Sequence, residues 1–193
     1  MKLEVQQYKK SIYEIGLPKE QESIIWDFYV TKSIAGSSSQ KRSLADYGLK
    51  KIPFEQMLKA GGIDSEHKLI LLANSITQTL KDNDLDIGSE KNPIAIDVET
   101  PRIVCITPYS IADTNKPKAK VGEGESVLTH IRNAFAHGNT YFFDNGNVLL
   151  EDKNKNTVTA RLILPLQALL DWIKIIDSNN NFYILHDNLD NEK

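Results

Sequence analysis

The sequence predicts a mainly α protein: a helical bundle with a small antiparallel β-meander directly after one helix. Two observations carry this. Apolar residues recur at helical spacing in most segments of the chain, and Asn145-Gly146 sits between two apolar runs, a strong short hairpin signal. The 193 residues, 40% hydrophobic and 25% charged, suit a single domain spanning 1–193.

The elements follow in order. Leu3, Val5, Tyr8, Ile12 and Ile15 predict a first helix over 3–15. Pro18 suits the first turn of a second, where its missing N–H does no harm, with Ile24, Ile25, Phe28 and Tyr29 on one face. Residues 34–43, "IAGSSSQKRS", read as a flexible break. Pro53 starts a short helix that Gly61 and Gly62 stop. Asp64 or Ser65 can cap the next, whose stripe is Leu69, Leu72, Ala73, Ile76 and Leu80. Residues 82–125 are punctuated by Asn, Asp, Pro, Gly and Lys, and read as a long irregular connection with one strand-like run, "RIVCI" at 102–106. Val127, Leu128, Ile131, Ala134 and Phe135 predict a core-facing helix from about Ser126 to His137, ended by Gly138. Three strands follow, with "DNGN" and "DKNKN" as turns. Pro165 opens a last helix striped by Leu166, Leu169, Leu170, Ile173 and Ile176, and "FYIL" is a short extended tail.

Composition narrows the function. The net charge of −3 argues against binding long nucleic acid by charge alone, so any such site must be local. The single cysteine, Cys105, rules out an internal disulfide and, inside an apolar run, reads as buried and inert. The amphipathic start "MKLEVQQYKK" does not resemble a secretory leader, so a cytoplasmic location is expected. No apolar run is long enough for a membrane span. No phosphate-binding glycine loop occurs.

The chemistry concentrates in "HIRNAFAHGN", residues 130–139. On an ideal helix His130, Asn133 and His137 share a face, while Arg132 diverges from His137 by roughly 140°. A long arginine reaching round, or a second copy of the helix across a two-fold axis, would bring the groups together. Polar residues opposite an apolar stripe are usually only a solvated face. Against that, R-N-x3-H arises by chance in about one chain of this size in a hundred.

These residues carry a resemblance. "IRNAFAHGN" is similar to the R-N-x3-H signature of the HEPN superfamily, small α-helical domains, usually dimeric, many of them metal-independent ribonucleases of toxin–antitoxin and phage-defence systems. Arg132, Asn133 and His137 match residue by residue, and the sequel of hairpin and final helix resembles a prokaryotic subgroup over 126–177. The resemblance implies an HEPN-like bundle and a homodimer without cofactor or metal that cuts RNA to 2′,3′-cyclic phosphate ends. His137 would be the acid/base, Arg132 would hold the phosphate, and Asn133 would orient one of them. It also implies RNA and an antitoxin or defence-system protein as partners. Asn139 stands where some toxin members carry a modified tyrosine; the nearest here is Tyr141. The alternative is a catalytically silent module that binds RNA, a nucleotide or a protein.

Other candidate substrate contacts carry less. His130 can assist from the same face, though a hydrogen-bonded structural histidine is the commoner case. Lys116, Lys118 and Lys120 form a basic run that can attract an RNA backbone. Tyr141, Phe142 and Phe143 can stack a base or fill the hairpin core. His130 and His137, two turns apart at about 10 Å, do not make a metal site.

Overall fold

The structure, a computed structural model, describes residues 8–31, 52–73, 78, 97–108, 122–155, 157–179 and 183. The protein is not the mainly helical bundle that helical spacing predicts. Six strands form one mixed sheet: β1 (Tyr8–Lys9), β2 (Lys68–Ala73), β3 (Arg102–Pro108), β4 (Thr140–Phe143), β5 (Asn147–Asn154) and β6 (Thr157–Pro165). Their spatial order is β1-β4-β5-β6-β3-β2, with β2 and β3 parallel and every other neighbouring pair antiparallel. Four α-helices are described: α1 (Lys19–Trp26), α2 (Phe54–Ala60), α3 (Glu123–Ala136) and α4 (Leu166–Ile176).

Two expected helices are replaced by sheet. Over 3–15 the described part is β1 and a short 3-10 turn at Ile12–Glu14. Tyr8 pairs with Phe143 at the sheet edge, and the Ser11 hydroxyl accepts the Tyr13 N–H to start the turn. After Asp64 the expected helix gives way to β2, which runs Lys68 to Ala73 alongside Ile103 to Pro108. "KLILLA" is a continuous apolar run, a pattern that a buried strand and a buried helix share. The rest of the predicted stripe, Ile76 and Leu80, lies outside the described residues, as do the break at 34–43 and the lysine run. The expected irregular connection at 82–125 contains all of β3 and the first turn of α3.

The second half follows its local signals. The turn between β4 and β5 occupies Asp144–Gly146, and Gly146 takes the left-handed φ of 84° that closes a three-residue hairpin loop. Lys155 also has positive φ, at 58°, in the turn to β6. Pro165 precedes α4, whose Leu169, Leu170, Ile173 and Ile176 are buried as the stripe predicts. Trp172 joins them, donating its indole N–H to the Met57 carbonyl at 2.7 Å and so tying α4 to α2.

The helices cover one sheet face. Ile103, Cys105, Phe142, Val148, Leu150, Ala160, Leu162 and Leu164 point into one core with Val127, Ile131 and Phe135 of α3 and the stripe of α4. Tyr141, Phe143, Leu149 and Ile163 point the other way and pack with Val98. This is the strand alternation of period two. Cys105 is fully buried, 3.7 Å from the Ser126 hydroxyl, and burial pushes its thiol up to about 12, which makes it unreactive near neutrality. Among the described residues no helix is long and apolar enough to cross a membrane.

The junction from α3 to β4 sets where the motif lies. Gly138 has φ of 64°; its N–H bonds to the Phe135 carbonyl at 3.1 Å, and the Asn139 N–H bonds to Ala134 at 2.9 Å. This pair of bonds is the Schellman ending, and it reverses the chain straight into β4. A Cβ on Gly138 would meet nothing within 4 Å, so the position is restricted by conformation alone. Gly138→Ala is therefore expected to cost about 1–2 kcal/mol, read as a lower midpoint in urea unfolding. An unchanged midpoint would show that the left-handed turn contributes nothing.

Candidate active site

Helix α3 presents its polar residues at one end and along one edge. Val127, Leu128, Ile131, Ala134 and Phe135 are buried, Arg132 and Asn133 are half-buried, and Ala136, His137 and Gly138 are exposed. His137 is the C-cap, and its backbone N–H still bonds to the Asn133 carbonyl at 3.0 Å. Asn133 and His137 therefore stand one helical turn apart on one face, with Cβ atoms roughly 6 Å apart. Arg132 starts on a different face but folds back: its Nη1 donates to Asn133 Oδ1 at 2.9 Å. The divergence expected on an ideal helix is thus reduced by the arginine side chain itself.

Asn133 is held from its other end. Its Nδ2 donates to Asp152 Oδ2 at 3.0 Å, and the same oxygen bonds His130 Nδ1 at 2.7 Å. Asp152 Oδ1 accepts the Lys153 N–H at 2.8 Å. His130 and Asp152 are both nearly excluded from solvent, at 4% and 6% exposure, so His130 is placed as an internal hydrogen-bonding group rather than a surface contact. Asp152 belongs to β5, on the face of Val148 and Leu150, and lies where the β5–β6 register shifts. Its neighbour Glu151 points to the opposite face, fully buried, bonded by Arg161 Nε at 2.9 Å and 3.2 Å from Lys153 Nζ.

Sequence reading missed Asp152. It lies at the head of "DKNKN", which looks like a turn, and only the packing of α3 on β5 gives it partners. The remaining candidates separate. Asn139 uses its backbone N–H and carbonyl internally, to Ala134 and Glu151, leaving only its half-buried side chain. Tyr141 is 5% exposed and its ring face is covered by Lys10 Nζ at 3.5 Å from the centroid, so it does not offer a base a stacking surface. Burial, then the Glu151 charge, holds its phenol above the ordinary value. Lys118 and Lys120 lie outside the described residues. No cluster of three or more His, Cys, Asp or Glu with metal-ligand geometry occurs among the described residues.

The result is a linear set: buried imidazole, carboxylate, amide, then a guanidinium at the surface beside an exposed imidazole. Arg132 has no carboxylate partner among the described residues, and its one hydrogen bond is to a neutral amide. The fold and site together define an α+β protein in which one face of a mixed, mostly antiparallel sheet carries a helix bearing Arg132 and His137. No protein-family model, curated protein or solved structure matches the chain.

Removing the Asp152 carboxylate would strip the acceptor from His130, Asn133 and the Lys153 N–H at once. Asp152→Ala is expected to cost about 1–3 kcal/mol. Asp152→Asn, which retains size but supplies a donor where acceptors are needed, should also destabilise. Urea unfolding of both variants checks this; two wild-type midpoints would show the network to be incidental.

Proposed function

We propose that the chain is an endoribonuclease that cuts RNA without a metal ion, acting as a dimer in defence or stress. One observation carries the reading: an Arg132 guanidinium with no acid partner among the described residues, anchored on Asn133, one turn from the exposed His137 imidazole. The motif residues support it, and the helical bundle implied by the resemblance does not, since these residues sit on a sheet-backed helix.

The chemistry runs as follows. His137 takes the proton from a ribose 2′-OH, whose oxygen attacks the adjacent phosphorus. Arg132 stabilises the charge that gathers on the phosphorane oxygens. The P–O5′ bond breaks, the imidazolium returns its proton to the leaving oxygen, and the products are a 2′,3′-cyclic phosphate and a 5′-OH. In the dimer, exposed helix ends from two copies would line one groove, and an isologous contact brings the same patch from both. An acidic segment of an antitoxin or defence partner is the other anion suited to Arg132.

A specific observation favours the silent module as second reading. Both ends of the Asn133 amide are engaged internally, by Arg132 and Asp152, so its observed contacts hold the guanidinium to the sheet and none of them reaches His137.

Purified protein is expected to cut RNA in excess EDTA, and His137→Ala to abolish cutting while the fold survives. Arg132→Lys, which loses the planar fork, should lower the rate sharply. Mixing Arg132→Ala and His137→Ala chains should restore part of the activity if the sites are composite. Full activity of His137→Ala would sink the assignment. Absence of cleavage in wild type together with Arg132-dependent RNA binding would establish the silent module instead.

A further inference from the structure

Three large hydrophobic side chains are exposed among the described residues: Tyr8, Tyr13 and Trp26. Two of them, Tyr13 at 67% and Trp26 at 39%, line the same recess, about 410 Å³ in volume. That volume lies in the range of small-ligand sites. Ser23, Asp27 and Thr31 also line it, at spacings of four along α1 and the π-helical turn Asp27–Thr31 that follows. The recess thus combines aromatic rings with hydroxyl groups able to meet a polar edge.

The elements that build it are fixed. Tyr13 belongs to the 3-10 turn capped by Ser11 and anchored by the buried Ile12. Trp26 ends α1 and meets Phe135 edge to face, ring centroids 6.4 Å apart and planes at 84°. Phe135 is a residue of the motif helix, three positions after Arg132 and two before His137. The recess and the cationic helix end are therefore neighbouring features joined by one aromatic contact.

We propose that this recess binds a nucleobase of the RNA strand whose phosphate is held at Arg132. Planar rings stack on tryptophan and tyrosine with little regard to sequence. Ring nitrogens and carbonyls of a base suit the Ser23 and Thr31 hydroxyls that line the recess. The role in strand recognition rests on the ribonuclease reading; base binding itself does not.

The chain has two tryptophans, and Trp172 is fully buried with its N–H bonded to Met57, so contact quenching of fluorescence reports Trp26. The wild-type protein is titrated with a short 2′-O-methyl RNA oligomer, with the same oligomer lacking bases, and with the four nucleoside 5′-monophosphates. Saturable quenching by the base-containing oligomer and none by the abasic one is expected. Binding of a labelled oligomer, followed by anisotropy, should weaken roughly 5- to 100-fold in Trp26→Ala and in Tyr13→Ala. Tyr13 is largely exposed, so its variant answers the question even if Trp26→Ala unfolds. Quenching by a monophosphate but not by the oligomer would overturn the placement on a strand. No saturable quenching, or wild-type affinity in Tyr13→Ala, would overturn the base site. Quenching without RNA cleavage in EDTA supports the base site and removes the ribonuclease reading, while cleavage without quenching does the reverse.

Discussion

The Asp152 carboxylate joins the motif helix to the sheet. It takes His130 and Asn133 from α3 on one oxygen and its own neighbour's N–H on the other, so every strong donor aimed at it is used. Burying a carboxylate is unfavourable unless it is hydrogen-bonded, and here three donors offset the lost hydration. The consequence reaches the surface. Asn133 is held by Asp152, Arg132 is held by Asn133, and the position of the guanidinium is thereby set from inside the protein. The strand alternation of β5 makes the joint possible, because it sends Asp152 to the helices and Glu151 to the far face, where Arg161 meets it. Two adjacent acids are each met on their own side of the sheet, Glu151 by Arg161 and by the Lys153 ammonium at 3.2 Å.

What could be read from the sequence is what local physics decides. Helix α3, its Gly138 stop, the Asn145-Gly146 turn and α4 depend on periodicity, a left-handed glycine and a proline start, all visible within a few residues. The sheet was not legible for the opposite reason. β2 gains its identity from parallel pairing with β3, some thirty positions away, and a parallel pair has no tight-turn signature to announce it. Leu69 and Leu72 fit a helical stripe as well as a strand, and tertiary pairing decided between them. The same holds for Tyr8, whose partner Phe143 lies in a distant part of the chain.

The candidate site divides along the same line. Arg132, Asn133 and His137 form a motif readable at fixed spacing. Asp152, on which the first two depend, has no sequence signal beyond an acidic residue at the start of a turn. Tyr13 and Trp26 are separated by thirteen positions of unremarkable sequence, and only the fold brings them to one recess. A helix-end motif can therefore be recognised while its scaffold is misjudged, because the chemistry resides in a few side chains and the architecture beneath them is free to differ.

The scaffold nevertheless constrains how a second copy would approach. In a bundle, a motif helix can offer a long face to its mate. Here α3 lies against β5, β3, α2 and the turn after α1, and most of its circumference is already buried. What remains open is Glu123 and Glu125 in the first turn and the strip from Thr129 through Arg132 and Asn133 to Ala136, His137 and Gly138. A two-fold contact made at that strip would place two Arg132 cations close together, each with no acid partner among the described residues. Such a contact is unfavourable when empty and becomes favourable when an anion lies between the pair. In the proposed dimer, substrate binding and association would then strengthen each other.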